Sequence, residues 1–378
     1  MNFTCQEGDN FGIINVYYCI LGLLRPNENK ESETMKIIID AFGGDNSPQE
    51  MVRGAVTSVN LIDDLKIVLT GDEAAIRAEL NRTGYIGDEI EVVHAPEVIT
   101  CDESPTMAIR KKTQSSLVVG LDLLKSDDTA DAFISAGSTG AVLAGGLFRV
   151  GRIKGVLRPA LGPLLPNAKG TKTMLIDCGA NMDCKPEYLV QFAVMGSEYM
   201  RATFGIERPR VGLMSVGVED HKGNDLTHTV FEKLKALDSI NFVGNMEARD
   251  MLSGDYDVLV CDGFVGNVAL KATEGAVAFL MSSLKTKIKN ANIFAKLGAG
   301  MLKKPLKELK RDMDYTSQGG SPFLGVEKLI IKSHGSSTAK TIVSCVFQAC
   351  ELINAATLDK IREGLAALGK EQSGETAV

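Results

Sequence analysis

Ala132-Phe-Ile-Ser-Ala-Gly-Ser-Thr-Gly-Ala-Val-Leu-Ala-Gly-Gly146 reads as the end of a buried strand, a small flexible turn and the start of a helix. The first N–H groups of a helix have no intrahelical partner, so here they and the Ser138 and Thr139 hydroxyls form a cradle suited to an anion such as phosphate. The plainer alternative is that Gly140 and its neighbours only let helix and strand pack closely. Recurrence along the chain favours the cradle.

Strand-like runs alternate with helical ones in the rhythm of βαβ units, which predicts a mostly parallel α/β fold. Ile37 to Ile39 delivers Asp40-Ala-Phe-Gly-Gly-Asp45; Asp40, Gly43, Gly44 and Asp45 are site candidates, although Asp45 also suits the cap of a helix near Pro48. Lys172 to Ile176 delivers Asp177-Cys-Gly-Ala-Asn181, and Arg210 to Ser215 delivers a loop ending in Lys222-Gly-Asn224. Tyr256 to Cys261 delivers Asp262-Gly-Phe-Val-Gly-Asn267 and a helix bearing Lys271; Leu329 to Lys332 delivers Ser333-His334-Gly335-Ser336. With the opening stretch, six strand ends carry glycine beside Asp, Asn, Ser or His. Ligands of open α/β sheets bind beyond such ends, so a shared crevice is expected there.

The chain has 378 residues, 44% of them hydrophobic, and a net charge of −7, which fits a globular enzyme and gives no footing for nucleic acid. Eight cysteines and four histidines show no Cys-x-x-Cys and no metal-ligand spacing. The expectation is a reducing, cytosolic compartment with no metal and no disulfide frame. No Gly-x-Ser-x-Gly elbow, Walker lysine motif or strict Gly-x-Gly-x-x-Gly after the first strand is present, so no cofactor is expected.

Residues 1–34 differ in character from the rest of the chain. Ile13 to Leu24 is apolar but falls short of the ~20 residues a bilayer span needs, and no basic segment precedes it. The stretch is read as a disordered or non-native leader, with a membrane-touching segment as the alternative. From Lys285 to Arg311 nine Lys or Arg face one acid, which makes the stretch +8 and the remainder −15. Apolar residues recur there at helical spacing, and Gly298, Gly300 and Pro305 divide the run, so a basic amphipathic hairpin over 276–312 is expected. It suits an anionic membrane surface, an acidic partner or a plain solvated cap. Residues 369–378 read as a flexible tail.

Asp40 to Asp45, Ser135 to Gly140, Asp177 to Asn181, Lys222 to Asn224, Cys261 to Lys271 and Lys332 to Ser336 together resemble, in order and without a gap, the motifs of the PlsX family of phosphate acyltransferases. The resemblance covers Met35 to about Ala356. Phe42, Ser138 and Val216-Gly-Val-Glu-Asp220 depart from the family's usual residues. It implies a dimeric, two-domain fold similar to phosphotransacetylases and isocitrate dehydrogenases, with 35–159 plus 322–368 as one domain and 160–321 as the other.

The implied activity is transfer of a long-chain acyl group from acyl carrier protein to inorganic phosphate, giving acyl phosphate for glycerol-3-phosphate acylation. The resemblance also implies a homodimer in the cytoplasm, peripherally associated with the cytoplasmic membrane, where a membrane glycerol-3-phosphate acyltransferase uses the product. Loops and resemblance together assign Ser138, Thr139, Gly140, Asn267 and Lys271 to phosphate. They assign His334 with Ser336, and Lys222 with Asn224, to the thioester carbonyl or its oxyanion. Lys303, Lys304, Lys307, Lys310 and Arg311 are expected to meet membrane or carrier protein. A phosphate acetyl- or butyryltransferase acting on coenzyme A thioesters, and a non-catalytic membrane scaffold, are the competing readings.

Overall fold

Short β-branched runs without alternation need cover on both faces, and here they obtain it by aligning in parallel between helices. The computed structural model describes residues 34–302, 304–306 and 319–373. The described chain runs through β1 (Met35–Asp40), α1 (Gln49–Val59), β2 (Leu65–Gly71), α2 (Glu73–Thr83), β3 (Ile90–His94), α3 (Pro105–Lys111), α4 (Ser116–Ser126), β4 (Ala132–Ser135) and α5 (Thr139–Gly145). A π-turn at Gly146–Val150 extends α5. Next come β5 (Ala160–Leu161), β6 (Leu164–Pro166), β7 (Lys172–Ile176), α6 (Pro186–Phe204), β8 (Arg210–Ser215), α7 (Asp225–Lys235), β9 (Asn241–Glu247) and β10 (Val258–Val260). The remaining elements are α8 (Gly263–Asn290), α9 (Ile293–Met301), β11 (Ser321–Leu324), β12 (Leu329–Lys332), α10 (Ala339–Asn354) and α11 (Thr357–Ser373).

Seven strands form one sheet in the order β3-β2-β1-β4-β12-β11-β5, and five form a second in the order β6-β7-β10-β8-β9. All neighbours pair in parallel except β11 with β12 and β5, and β6 with β7. In the first sheet the winding reverses between β1 and β4, the position where an α/β sheet opens a crevice. The six glycine-bearing loops leave the carboxyl ends of β1, β4 and β12, which are neighbours, and of β7, β10 and β8, which are neighbours too. One apolar core runs through both sheets, with Ile37 and Ile39 in the same cluster as Met174, Ile176 and Val260.

Four strands carry no clear sequence signal. β5 and β6 have two and three residues. β9 is interrupted by Gly244, at φ 102°, with a register shift opposite Val211 and Gly212. β11 contains Pro322. The helix expected from 276 begins at Gly263, because Asp262 caps it by accepting from the Val265 N–H at 2.8 Å. Its break falls at Ala291 and Asn292, and α9 then passes through Gly298 and Gly300. α11 continues to Ser373, pinned by the Asp238 N–H donating to Glu371 at 2.9 Å. Residues 1–33, Lys303, Lys307, Lys310, Arg311 and 374–378 lie outside the described residues.

Candidate active site

Loops from four of the six strand ends enclose a cleft of about 330 Å³. Thr139 enters from β4, Cys178 and Gly179 from β7, Asn267, Lys271 and Glu274 from α8, and Lys332, Ser333 and His334 from β12. Leu161, Pro163 and Leu164 and the Gly319–Ser321 strand entry complete the lining. Thr139, Asn267, Lys271 and His334 are thus brought together as the sequence reading requires of a shared crevice.

The β1 loop stiffens this site from behind. Asp40 is buried, and its carboxylate accepts from Ser135 Oγ at 2.7 Å and from the Phe42 N–H at 3.2 Å. Ser135 Oγ in turn accepts from the Gly137 N–H at 3.0 Å, which fixes the turn before α5. Burial raises the Asp40 pKa against the pull of its donors. Gly44 sits at φ 95°, and a side chain there would meet the Gly335 carbonyl. Gly43 is packed as closely, against Asp40 and the Gly137 N–H. Asp45 does not cap α1: its N–H donates to the Gly335 oxygen at 2.8 Å, while Asn46 reaches the Ser337 oxygen at 3.1 Å. Asp45 and Gly335 therefore hold the β1 and β12 loops together. At Gly140 a side chain would strike Pro105 of α3, so this glycine serves close packing. Ser138 occupies the N-cap position of α5 without a side-chain cap bond.

Across the cleft, Asp177 is fully buried at the end of β7. Its carboxylate accepts from the backbone N–H groups of Leu161 (2.9 Å), Ala180 (3.2 Å) and Asn181 (2.6 Å), and from Asn181 Nδ2 (3.0 Å). Leu161 belongs to the first sheet, so one carboxylate ties the two sheets at the cleft wall. Asn181 spends its amide on Asp177 and on the Pro159 oxygen. Gly266 lets α8 lie against the Asp177 carbonyl, where a side chain would collide with backbone, and this seats Asn267 and Lys271 over the cleft.

His334 Nδ1 accepts from the Ser336 N–H at 3.2 Å and lies 2.8 Å from Ser336 Oγ. An accepting Nδ1 leaves the proton of the neutral ring on Nε2. Partial burial, then Lys271 and Lys332, lower the His334 pKa below the ordinary 6.5, so the ring is neutral at pH 7. Lys271 is exposed and paired with Glu274 at 2.8 Å. Lys332 is buried, donates to the Ser333 carbonyl, and is pulled down by burial to a pKa of about 8.

In the sequence Lys332 ends a strand and opens the Lys332-to-Ser336 motif, with no role of its own assigned to it. The available signal is a lysine closing an otherwise apolar run in mid-sheet, where charge is unusual. Lys222 and Asn224 do not line the cleft. Asn224 caps α7 in a reciprocal box with Thr227, accepting from the Thr227 N–H at 2.9 Å. Lys222 is exposed; its carbonyl accepts from Ser215 and Asn245. Asp262 and Asn224 illustrate one rule: an Asx directly before a helix serves its N–H groups first. Lys304 is described and exposed.

The model of a family described as fatty acid synthesis protein matches residues 35–360. Curated relatives include the phosphate acyltransferases of Thermoanaerobacter pseudethanolicus, 45% identical over 90% of this chain and 100% of the relative, and of Bacillus licheniformis, 47% identical over 85% and 95%. That of Clostridium acetobutylicum is 46% identical over 88% of this chain and 99% of the relative. Among solved structures, a phosphotransacetylase from Streptococcus pyogenes superposes with a TM-score of 0.59 at 18% identity, over 86% of this chain and 94% of that one. One from Staphylococcus aureus gives 0.52 at 13%, over 88% and 94%. These two likenesses show the fold.

Proposed function

Because the chain belongs to the PlsX family of fatty acid synthesis proteins and is a phosphate acyltransferase, we propose that it transfers a long-chain acyl group from acyl carrier protein to inorganic phosphate. The observation that carries this reading is the cleft itself, where two lysines, a neutral histidine, a threonine and an asparagine converge. Such a set suits direct attack, in which aim and charge neutralisation do the catalytic work.

A phosphate oxygen attacks the thioester carbonyl carbon, the C–O bond forms as the C–S bond breaks, and the phosphate hydroxyl proton ends on the departing sulfur. Thr139, Asn267 and Lys271 hold phosphate, with Ser138 and the Gly140 backbone adjoining Thr139 in the same loop. His334, aimed by Ser336, donates from Nε2 to the carbonyl oxygen as it becomes an oxyanion. Lys222 and Asn224 receive no part in this, since neither lines the cleft. The donor assignment is tested by comparing palmitoyl-acyl carrier protein with palmitoyl-coenzyme A at equal concentration. Preference for the carrier-protein thioester is expected; a coenzyme A thioester accepted far better overturns it.

The product carries a long apolar chain, and the reading extends to a peripheral position on the cytoplasmic membrane, where a glycerol-3-phosphate acyltransferase consumes it. α8 is long and apolar enough by length and composition to cross a bilayer, but its first third lines the cleft. Its far half presents exposed Phe279, Leu280 and Leu284 beside exposed Lys285, Lys287 and Lys289, a pattern suited to lying on an anionic surface. Exposed Phe264 and Val268 near its start suit contact with a second copy in a homodimer. Changing Lys285, Lys287 and Lys289 to glutamate is expected to weaken binding to phosphatidylglycerol vesicles on the order of 10²-fold, at ~1 kcal/mol per cation. Cosedimentation unchanged by the triple substitution overturns the membrane assignment.

A further inference from the structure

Two lysines line the cleft, and they are in opposite situations. Lys271 is 56% exposed and already neutralised by Glu274. Lys332 is 8% exposed and closes β12 between β4 and β11. Its Nζ donates to the Ser333 carbonyl, and no carboxylate stands within ion-pair distance of it among the described residues. From the elements packed around it Lys332 faces Asp40 of β1, Cys101 ahead of α3, Cys345 of α10 and Lys271 of α8, with His334 next to it in the adjoining loop. Asp40 is occupied by Ser135.

An ammonium has three donors, so a buried one with a single carbonyl partner is under-satisfied in the free protein, and buried charges are ordinarily paired. The partner this cleft is built to receive is an anion. We propose that Lys332 is the counter-cation of the phosphate substrate: its remaining N–H groups bind the non-attacking oxygens of the phosphate dianion, inside the Lys271–Glu274 pair and beside His334. The proposal rests on the reading of the cleft as a phosphate acyltransferase site and assigns the inner, dominant contact to a residue other than Ser138, Thr139, Gly140, Asn267 and Lys271.

The isolation of Lys332 has a consequence for pH. Burial brings its free-state pKa to about 8. Its charge is complete only well below that value and is lost as pH rises through it, so phosphate affinity falls from about pH 8 upward, where phosphate is already the dianion. Bound phosphate opposes the loss by holding the proton on Nζ.

Phosphate binding is followed without an acyl donor, as the rise in melting temperature that inorganic phosphate gives wild type, Lys332→Met and Lys332→Arg. Wild type is expected to gain stability from phosphate near pH 7 and progressively less toward about pH 9.5; Lys332→Met gains little at either pH. Lys332→Arg, whose guanidinium stays charged, keeps its gain throughout. In steady-state assays of Lys332→Met the KM for phosphate rises on the order of 10- to 100-fold, as for loss of one charge-assisted bond, while the KM for the thioester stays close to wild type.

A phosphate-induced shift in folded Lys332→Met equal to that of wild type overturns the proposal. So does a wild-type shift that is flat across this pH range, and that measurement needs no variant to fold. Phosphate binding with these signatures but no acyl phosphate from wild type sinks the acyl-transfer reading and leaves the Lys332 site standing.

Discussion

Replacing His334 with alanine lowers the rate of acyl phosphate formation on the order of 10²–10³-fold, the cost of removing one donor aimed at a developing oxyanion. The expectation rests on the tautomer. The Ser336 N–H donates to Nδ1, so the neutral ring offers Nε2–H as a hydrogen-bond donor and has no free lone pair with which to act as a base. The ring's hydrogen bonds run to Ser336 of its own loop, so the melting temperature is expected to stay near that of wild type. His334→Gln, which retains an N–H at similar reach, recovers part of the rate. Because burial and two lysines depress its pKa, any acid limb due to the ring lies below pH 6.5. Wild-type turnover in folded His334→Ala removes His334 from the mechanism.

Asp177→Ala is the substitution expected to cost most stability, on the order of 3–5 kcal/mol in denaturant unfolding. Three backbone N–H groups and the Asn181 amide lose one shared acceptor in a fully buried position, and each stranded donor costs ~1–3 kcal/mol less whatever water enters. The damage is not confined to one loop, since Leu161 stands in the first sheet and Asp177 in the second. Asp177→Asn keeps one acceptor oxygen but turns an NH₂ toward donors, so an intermediate loss is expected. Unfolding midpoints of both variants close to wild type contradict the assignment of Asp177 as the tie between the sheets.

The sequence makes legible what depends on neighbours along the chain. Apolar runs such as Lys36–Asp40 and Lys172–Ile176 are strands, and the glycine-bearing loops after them do gather at the carboxyl edges. It hides what depends on pairs through space. The Lys271–Glu274 pair, three residues apart on one helix, is open to a sequence reading, but nothing local to Lys332 says that it is buried without such a partner. Asp177 looks like any strand-end acid until Leu161, 16 residues earlier, is seen to donate to it. Asn224 lies between these cases: Asn224-Asp-Leu-Thr227 contains a cap pattern, and a cap is the simpler use of an asparagine before a helix. The short strands β5 and β6 escape notice because two or three residues hold no period.

The central claim is that phosphate and a long-chain thioester react directly in this cleft. The measurement that tests it most directly is incubation of the purified full chain with palmitoyl-acyl carrier protein, with and without inorganic phosphate, followed by removal of the thioester and trapping of product with hydroxylamine. Palmitoyl hydroxamate that appears only when phosphate is present is the predicted result. Folded protein that yields none, or yields as much without phosphate as with it, contradicts the account.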